Sequence, residues 1–520
     1  MPAFALLPAA RPRRGGRLRL ASALGALVLV PAASGHGGGA TDGPSPQNPS
    51  PMVDRARPHP RLLPGNPPGL RRPLSLGSLF VPAEATADVA RQRLPLILHF
   101  HGAAWLAEEA AASLGEAALV SFQLGSGSQA YARPFAEDPR RWQQIVREAE
   151  QATGRPLGPI VLSGWSAGYG AIRELLQQRE GGPEIAAAVL LDGLHAAYAT
   201  ERPEAGTPEL AAESLAPFLL FAREAAAERT ALLVLHTEIF PGTYASTTET
   251  ADYLLDKLGL TRRAVLRWGP LGMQQLSEAG GGRFRVGGYA GNSAPDHVDL
   301  LHAAATFWRE ALELAGLAEA AASDWRPLFD GGTLAGWEGP SHVFRVAEGA
   351  LVGGSLQGPV PRNEFLCTRQ TFENFELHFE ARLTGAAGRN AGVQFRSARV
   401  PDSHEVAGYQ CDLAVHAGRP VWGWIYDESR RNRFLAPAGG DPSAEFTTQL
   451  ALAVRDGDWN AYAIRCRGSR VQTWVNGYPA ADYQETDPAI ARRGVIGLQI
   501  HGGPPSEAWY RNLRIREWHD

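Results

Sequence analysis

PIVLSGWSAGYGAIRELLQQ, residues 159–178, decides how the first half of the chain is read. Pro159–Leu162 is a short apolar run of the kind found in buried strands. Ala167–Gln178 carries apolar residues at helical spacing. Between them Gly164-Trp165-Ser166-Ala167-Gly168 fits GxSxG in the setting a nucleophile elbow needs, after a strand and before a helix. The flanking glycines leave room for a strained turn that presents the Ser166 hydroxyl at the helix N-terminus. The amide of Ala167 then faces a developing oxyanion. GxSxG arises often by chance in a chain rich in Ala and Gly, so the context carries the signal.

Working outward, Leu94–Phe100, Ala118–Phe122, Ile185–Leu191, Leu232–His236 and Val265–Trp268 read as further buried strands. Pro139–Ala152, Pro208–Glu228, Thr248–Leu258 and a closing His302–Leu317 read as helices. Alternation of this kind predicts a mostly parallel sheet covered by helices on both faces. A second oxyanion donor is expected after an earlier strand, where Phe100-His101-Gly102-Ala103-Ala104-Trp105 offers the small residues Gly102 and Ala103. His101 is expected to brace that loop. The histidine partner of Ser166 must come after the last strand; His297 has that position, with His302 as the alternative. Asp192 ends the strand after the elbow helix and Glu238 lies past the next strand, so the acid is Asp192 or Glu238, with Asp192 in the cleaner strand-end setting. His101, His195 and His236 follow strands and are further candidates to line the site. Over about 250 residues this Ser, acid, His order resembles the α/β-hydrolase superfamily. The resemblance implies ester or related acyl hydrolysis, without a cofactor, and says little about substrate.

After Trp325 the period changes to two. Glu376–Arg382, Gly392–Arg396, Ala461–Arg465, Arg470–Val475 and Gly494–Ile500 alternate, and Asn476-Gly477 is a hairpin signal. No helical segment is expected there, so the second half reads as an antiparallel sandwich. Alternation places Gln394 and Arg396 on one face of their strand, and Gln410 and Asp412 on one face of theirs. A polar face of this kind suggests a binding trough, with Trp422, Trp424 and Tyr426 as flat surfaces for sugar rings. The bland alternative is a solvated sheet face with ordinary surface ion pairs.

Several separated motifs of this half appear in order: LFDG and AGW at Leu328–Trp337, NAGVQFR at Asn390–Arg396, GYQCD at Gly408–Asp412, YDESRRN at Tyr426–Asn432, GLQIHG at Gly497–Gly502 and RNLRIRE at Arg511–Glu517. Together they closely resemble the 3-keto-disaccharide hydrolase (DUF1080) domain, from about Trp325 to Glu517. The resemblance implies a concanavalin A-like sandwich that binds or cleaves glycosides oxidised at C3. A ketone at C3 acidifies the hydrogen at C2, so a base can remove it and expel the group at C1. On that chemistry Asp412 or Glu428 is the candidate base. Arg396, Arg430 or Arg431 would steady the enolate, and His501 would protonate the leaving oxygen. Asp427 and Glu428 are alternatively a pair for a divalent cation, since hard cations take carboxylate oxygens.

The rest of the sequence sets the frame. At 520 residues the chain exceeds one ordinary core, and 44% hydrophobic with 20% charged residues is a globular composition. A formal net charge of −4 argues against nucleic acid as a partner. Abundant Gly and Ala, with lysine scarce beside arginine, read as a GC-rich bacterial genome. Residues 1–35 have the layout of a signal peptide: Arg11–Arg19 basic, Leu20–Val30 apolar, then small residues. Residues 36–66, rich in Gly, Pro, Ser and Asn, read as a flexible linker. The boundaries that follow are 67–318 for the α/β domain and 325–520 for the sandwich. No segment of the mature chain is long and apolar enough to cross a bilayer as a helix, and the expected address is secreted or periplasmic. Cys367, Cys411 and Cys466 are odd in number and cannot all pair within one chain, which leaves one disulfide or three buried thiols. The expected whole is a bifunctional hydrolase acting on carbohydrate or an acylated glycan. The alternative is an esterase carrying a lectin-like sandwich.

Overall fold

The computed structural model describes residues 57–87, 92–199, 209–318, 325–416, 418–437 and 442–518. The expected signal peptide, and residues 36–56 of the expected linker, lie outside the described residues. The first half contains strands β1 (Gly69–Pro73), β2 (Ser78–Pro82), β3 (Leu94–Phe100), β4 (Ala118–Phe122), β5 (Leu157–Trp165), β6 (Ile185–Leu191), β7 (Ala231–His236), β8 (Arg263–Trp268), β9 (Gln274–Gly281) and β10 (Phe284–Tyr289). They form one sheet in the order β1-β2-β4-β3-β5-β6-β7-β10-β9-β8. The six strands from β4 to β10 in that order run parallel, and the strands at both edges are antiparallel. Helices α1 (Ala83–Ala87), α2 (Ala104–Leu114), α3 (Ser128–Glu137), α4 (Arg141–Thr153), α5 (Tyr169–Gln177), α6 (Ala212–Ala226), α7 (Thr247–Leu258), α8 (Ala294–His302) and α9 (Ala304–Leu314) connect them. This is a mixed sheet with helices, of α/β type.

Two strand expectations change. Val265–Trp268 belongs to β8, an exposed antiparallel edge rather than a buried strand. The last parallel strand is β10, which pairs with β7 through Gly287 and Gly288 and whose glycines hid it from a pattern search. The closing helix is two helices, α8 and α9, so His297 lies in the first turn of α8 rather than ahead of a helix.

The second half contains β11 (Arg326–Pro327), β12 (Trp337–Glu338), β13 (Phe344–Ala347), β14 (Ala350–Ser355), β15 (Glu364–Thr368), β16 (Phe375–Gly385), β17 (Ala391–Arg399), β18 (Val406–Asp412), β19 (Val415–His416), β20 (Arg419–Pro420), β21 (Ile425–Glu428), β22 (Phe434–Ala436), β23 (Asn460–Arg467), β24 (Arg470–Val475), β25 (Tyr478–Gln484), β26 (Val495–Ile500) and β27 (Ser506–Glu517). One sheet runs β13-β14-β27-β16-β23-β24-β25, with β11 on β27; the other runs β12-β15-β26-β17-β18-β21-β22. Every pairing is antiparallel, and the inner faces bury Leu377, Phe379, Val393, Phe395, Ile464, Val471, Leu498 and Tyr510 between them. At the β24–β25 turn Asn476 and Gly477 both have positive φ (49° and 78°), as an Asn-Gly hairpin demands. One helix interrupts the all-β expectation: α10 (Ala444–Ala453), capped by Ser443. The three cysteines are free and buried.

The halves are tied by charged contacts. Arg465 Nη1 donates to the carbonyls of Ser113 (3.1 Å) and Leu114 (3.3 Å), which end α2. Arg516 pairs with Glu313 (2.9 Å), Arg309 with Glu376 (3.6 Å) and Arg470 with Glu84 (2.5 Å). Residues 57–62, expected as flexible linker, form a fixed strap instead. Asp299 on α8 is fully buried, and Arg57, Arg61 and His59 (2.9 Å) all engage its carboxylate. The Leu62 amide donates to His302 Nδ1 (3.0 Å), and the Arg61 amide to Gln449 Oε1 (2.7 Å) on α10. A buried carboxylate demands such counter-charge, and the cations came from a stretch whose Pro and Gly content suggested slack.

Candidate functional site

Strand order reverses around β3, which makes the carboxyl ends of β3 and β5 a topological switch point, the place where open parallel sheets generally bind ligands. Ser166 lies at the end of β5 with φ of 48°, in a 3-10 turn (Ser166–Gly168) that leads into α5. Left-handed backbone at a non-glycine residue costs on the order of 1–3 kcal/mol and is held here by close packing. A Cβ on Gly168 would sit 2.1 Å from the Phe100 carbonyl oxygen, so only glycine lets the elbow press against the end of β3. Gly193 meets the Ser166 backbone in the same way, 2.5 Å from its carbonyl oxygen.

Asp192, also at positive φ (46°), is buried at the end of β6. Its carboxylate accepts from His297 Nδ1 (2.8 Å), the Thr237 hydroxyl (2.5 Å) and the Thr237 amide (3.1 Å). Burial opposes its charge, yet the His297 and Thr237 bonds outweigh burial and hold the carboxyl below its ordinary pKa. His297 is carried in the first turn of α8, whose capping box joins Ser293 and Asp296. The Trp165 indole N–H donates to the His297 carbonyl (2.9 Å), and the two rings lie 4.6 Å apart, beside Ser166 in sequence. The structure therefore gathers Asp192 and His297 at the elbow. It does not bring Glu238 to them: Glu238 is exposed and accepts from the Gly291 amide (3.2 Å). His302 is likewise turned away, toward Leu62.

Gly102 and Ala103 lead from β3 into α2, whose N-cap is Ala103. His101 Nδ1 lies 2.7 Å from the Tyr131 hydroxyl, and its ring stacks on Trp165 at 5.0 Å. Burial, with repulsion from His297, lowers its pKa to about 4, so it is neutral near pH 7. The Ala167 amide belongs to the first turn of the 3-10 segment, where amides lack partners within the helix. His195 Nδ1 donates to the Ala245 carbonyl (3.0 Å) and His236 Nδ1 to that of Thr237 (2.9 Å), and His195 also lies against the Asp192 backbone, while the Asp192 carboxylate is taken by His297 and Thr237.

In the sandwich, a cavity of about 510 Å³ opens over the sheet that contains β17, β18 and β21. Gln410 and Asp412, which the alternation of β18 puts on one face, line it together with Tyr426, Glu428 and His501. Gln410 Nε2 donates to Asp412 (2.8 Å), Gln499 Nε2 to Glu428 (3.3 Å), and His501 Nδ1 to the Gly502 carbonyl (2.7 Å). Among the described residues, the buried acceptors Asn390 Oδ1 and Gln410 Oε1 find no protein partner. Burial raises Asp412 to about 8 against the opposing Gln410 bond, with the Glu428 carboxylate adding to the rise. Glu428 is raised too, first by burial and then by Glu405.

Six expected site residues lie elsewhere. A bulge in β17 breaks the alternation between Phe395 and Ala398, and Arg396, at φ of 48°, turns from the trough to the Glu373 (2.7 Å) and Gly468 (2.8 Å) carbonyls. Asp427 is buried on the opposite face from Glu428 and is engaged by Arg430 (2.7 Å) and by Arg431, which also pairs with Glu485 (2.7 Å). These three are an internal ion network, on the other side of the strand from Glu428. Trp424 is fully buried, and Trp422 nearly so, leaving Tyr426 as the ring among the three at the cavity wall. Sequence reading missed Asn390, His416, Arg419, Asn432, Arg433 and Phe434, which complete the lining. The run of charge from Asp427 to Arg433 was the available signal for Arg433, but face assignment picked the wrong arginines. Among the described residues one cluster, His59, Asp296 and Asp299, has metal-ligand spacing, and arginines occupy its carboxylates.

Residues 324–516 match the family model described as a 3-keto-alpha-glucoside-1,2-lyase-like domain. No curated protein matches the chain. Among solved structures, the chain is similar to a Parabacteroides distasonis protein assigned as a glycosyl hydrolase (21% identity, 38% of this chain and 100% of that one, TM-score 0.27). It is also similar to the laminarinase catalytic domain of Thermotoga maritima (11%, 38% and 100%, TM-score 0.27) and to carbohydrate-binding module CBM66 of Bacillus subtilis (13%, 35% and 95%, TM-score 0.22). No helix among the described residues is long and apolar enough to cross a membrane.

Proposed function

We propose that the chain is an exported, bifunctional hydrolase of carbohydrate breakdown, with a serine esterase site in the first half and a 3-keto-glycoside-cleaving site in the second. The observation that carries the first assignment is the 2.8 Å bond from His297 Nδ1 to buried Asp192, beside a serine held at positive φ. That bond fixes the imidazole tautomer and leaves Nε2 to take the Ser166 proton as Oγ attacks an ester carbonyl. The Ala167 amide and the Gly102–Ala103 loop face the oxyanion. His297 then returns the proton to the departing alcohol, and water repeats the cycle on the acyl-enzyme.

In the sandwich, Glu428 takes the C2 proton while Asp412, protonated at neutral pH, delivers a proton to the oxygen leaving C1. The electrons of the C2–H bond form the new C1–C2 double bond as the C1–O bond breaks. Arg419 or Arg433 replaces Arg396, Arg430 and Arg431 opposite the C3 oxygen, and water added across the double bond completes a net hydrolysis. His501, whose Nδ1 is committed to a carbonyl, positions the sugar rather than protonating it. Two carboxyl groups, Asp412 and Glu428, meeting in one cavity beside His501 favour a catalytic over a lectin-like sandwich.

The full chain is assayed on an aryl acetate and on a 3-keto-disaccharide, with and without chelator. Turnover of both substrates, each lost in its own variant (Ser166→Ala or Asp412→Asn), is expected. Retention of ester hydrolysis in Ser166→Ala overturns the first assignment. Sugar binding without cleavage, chelator or not, leaves the sandwich as a binding module.

A further inference from the structure

The hydrogen bond from His297 Nδ1 to Asp192 (2.8 Å) fixes one corner of the imidazole. One bond leaves the ring free to swing about the line that joins the two atoms, and a swing carries Nε2 away from Ser166. The terminal torsion of a histidine side chain is broad, so the rotamer alone does not set the ring plane. A second restraint matters, because displacing a reacting atom by about 1 Å can cost about 10²-fold in rate.

Trp165, the last residue of β5, supplies that restraint twice over. The centres of its indole and the His297 ring are 4.6 Å apart, with 32° between the planes, and its N–H donates to the His297 carbonyl (2.9 Å). One side chain thus holds both the imidazole and the backbone that carries it. The indole is itself held. His101, just past β3, stacks on it at 5.0 Å with 13° between the planes, and Tyr131 on α3 holds His101 through a 2.7 Å bond at Nδ1. Rings from α3, β3, β5 and α8 therefore touch in series, and the last of them is the imidazole. The indole face also acts on charge. His297 becomes an imidazolium when it takes the Ser166 proton, and tryptophan is the aromatic side chain that attracts a cation best. The neutral imidazole gains little from that face, so the attraction grows toward the transition state, where it raises the rate. His101 does not compete for the indole, since burial and repulsion from His297 keep it neutral near pH 7.

We propose that Trp165 is a positioning residue of the esterase site, whose indole sets the plane of the His297 ring and supports the charge that this ring takes up. The inference rests on the serine esterase reading above. It adds to Ser166, His297 and Asp192 a fourth side chain, which acts through His297.

The test is steady-state kinetics of the full chain on an aryl acetate, comparing the wild type with Trp165→Phe, Trp165→Leu and Ser166→Ala. The phenylalanine variant keeps a ring and loses the N–H bond, whereas the leucine variant keeps apolar bulk and loses both. In Trp165→Phe kcat should fall about three- to tenfold, and in Trp165→Leu about thirtyfold or more, with KM within about twofold in each. In proton NMR spectra the downfield resonance of the His297 Nδ1 proton bound to Asp192 should persist in Trp165→Phe and broaden in Trp165→Leu. Equal kcat in the two variants, or a loss expressed in KM alone, overturns the inference. If Trp165→Leu does not fold, the kcat of Trp165→Phe decides, and a wild-type value there overturns it. Hydrolysis that survives Ser166→Ala sinks the esterase reading and this inference with it. Hydrolysis lost in Ser166→Ala but unchanged in both Trp165 variants sinks this inference alone. The resonance needs no substrate, so even in a chain inactive on the aryl acetate an unchanged signal in Trp165→Leu overturns the positioning role.

Discussion

The two halves build their sites on opposite logic. In the α/β half the functional groups stand at strand ends, and the backbone itself aims them: His101, Ser166 and Asp192 all have positive φ immediately after β3, β5 and β6. In the sandwich the groups stand on a sheet face, and register aims them. A strand-end site survives changes in its neighbours because each turn is locally fixed. A face site changes membership with a single inserted residue, as the bulge at Arg396 demonstrates.

The sharpest way to break this contrast is to disable one site and read the other. Ser166→Ala should lower aryl acetate hydrolysis by about 10⁴-fold or more while leaving keto-glycoside cleavage intact. A loss in both assays would mean that the sites are not separate. Next in size, Asp412→Asn should cost about 10²–10⁴-fold in keto-glycoside cleavage, the usual worth of a positioned acid. Asp412 also sets a pH limb. Its folded pKa is raised to about 8 from an ordinary 3.8, so the protonated acid is lost, and activity falls, as pH rises through about 8. The same shift makes the folded sandwich lose stability between those two values as pH rises, and Asp412→Asn should flatten that slope in pH-dependent melts. Trp424→Ala sharpens the distinction between face and core: a buried indole of this kind should cost about 3–5 kcal/mol in denaturant unfolding, where a sugar platform would cost binding alone. Smallest of all, Glu238→Ala should leave ester hydrolysis within about twofold and stability within about 0.5 kcal/mol, because the carboxylate is exposed and its hydrogen bond among the described residues is to the Gly291 amide.

These contrasts explain what could be read from sequence. Ser166, Asp192 and His297 were legible because GxSxG, a strand-end acid and a late histidine follow chain order, and chain order maps directly onto a parallel sheet. Gln410 and Asp412 were legible because β18 alternates without interruption. Arg396 was not, since a bulge leaves no mark in composition. Asp427, Arg430 and Arg431 read as a binding run because charge in sequence does not reveal which side of β21 it occupies. β10 escaped notice because Gly287 and Gly288 remove the apolar signal from a strand that pairs through its backbone. The strap escaped for the reverse reason: its ionic partners on α8 are more than 200 residues away.

That strap also governs how the molecule can be dissected. A recombinant first half cut to begin at residue 67 discards Arg57, His59 and Arg61 together, stranding Asp299 as an uncompensated anion with no exposed surface. Removing the partners of a buried charge costs several kcal/mol. The damage falls on the helix that carries His297, so a silent fragment would report a broken brace rather than an absent esterase, whereas a start upstream of Arg57 keeps the brace in place.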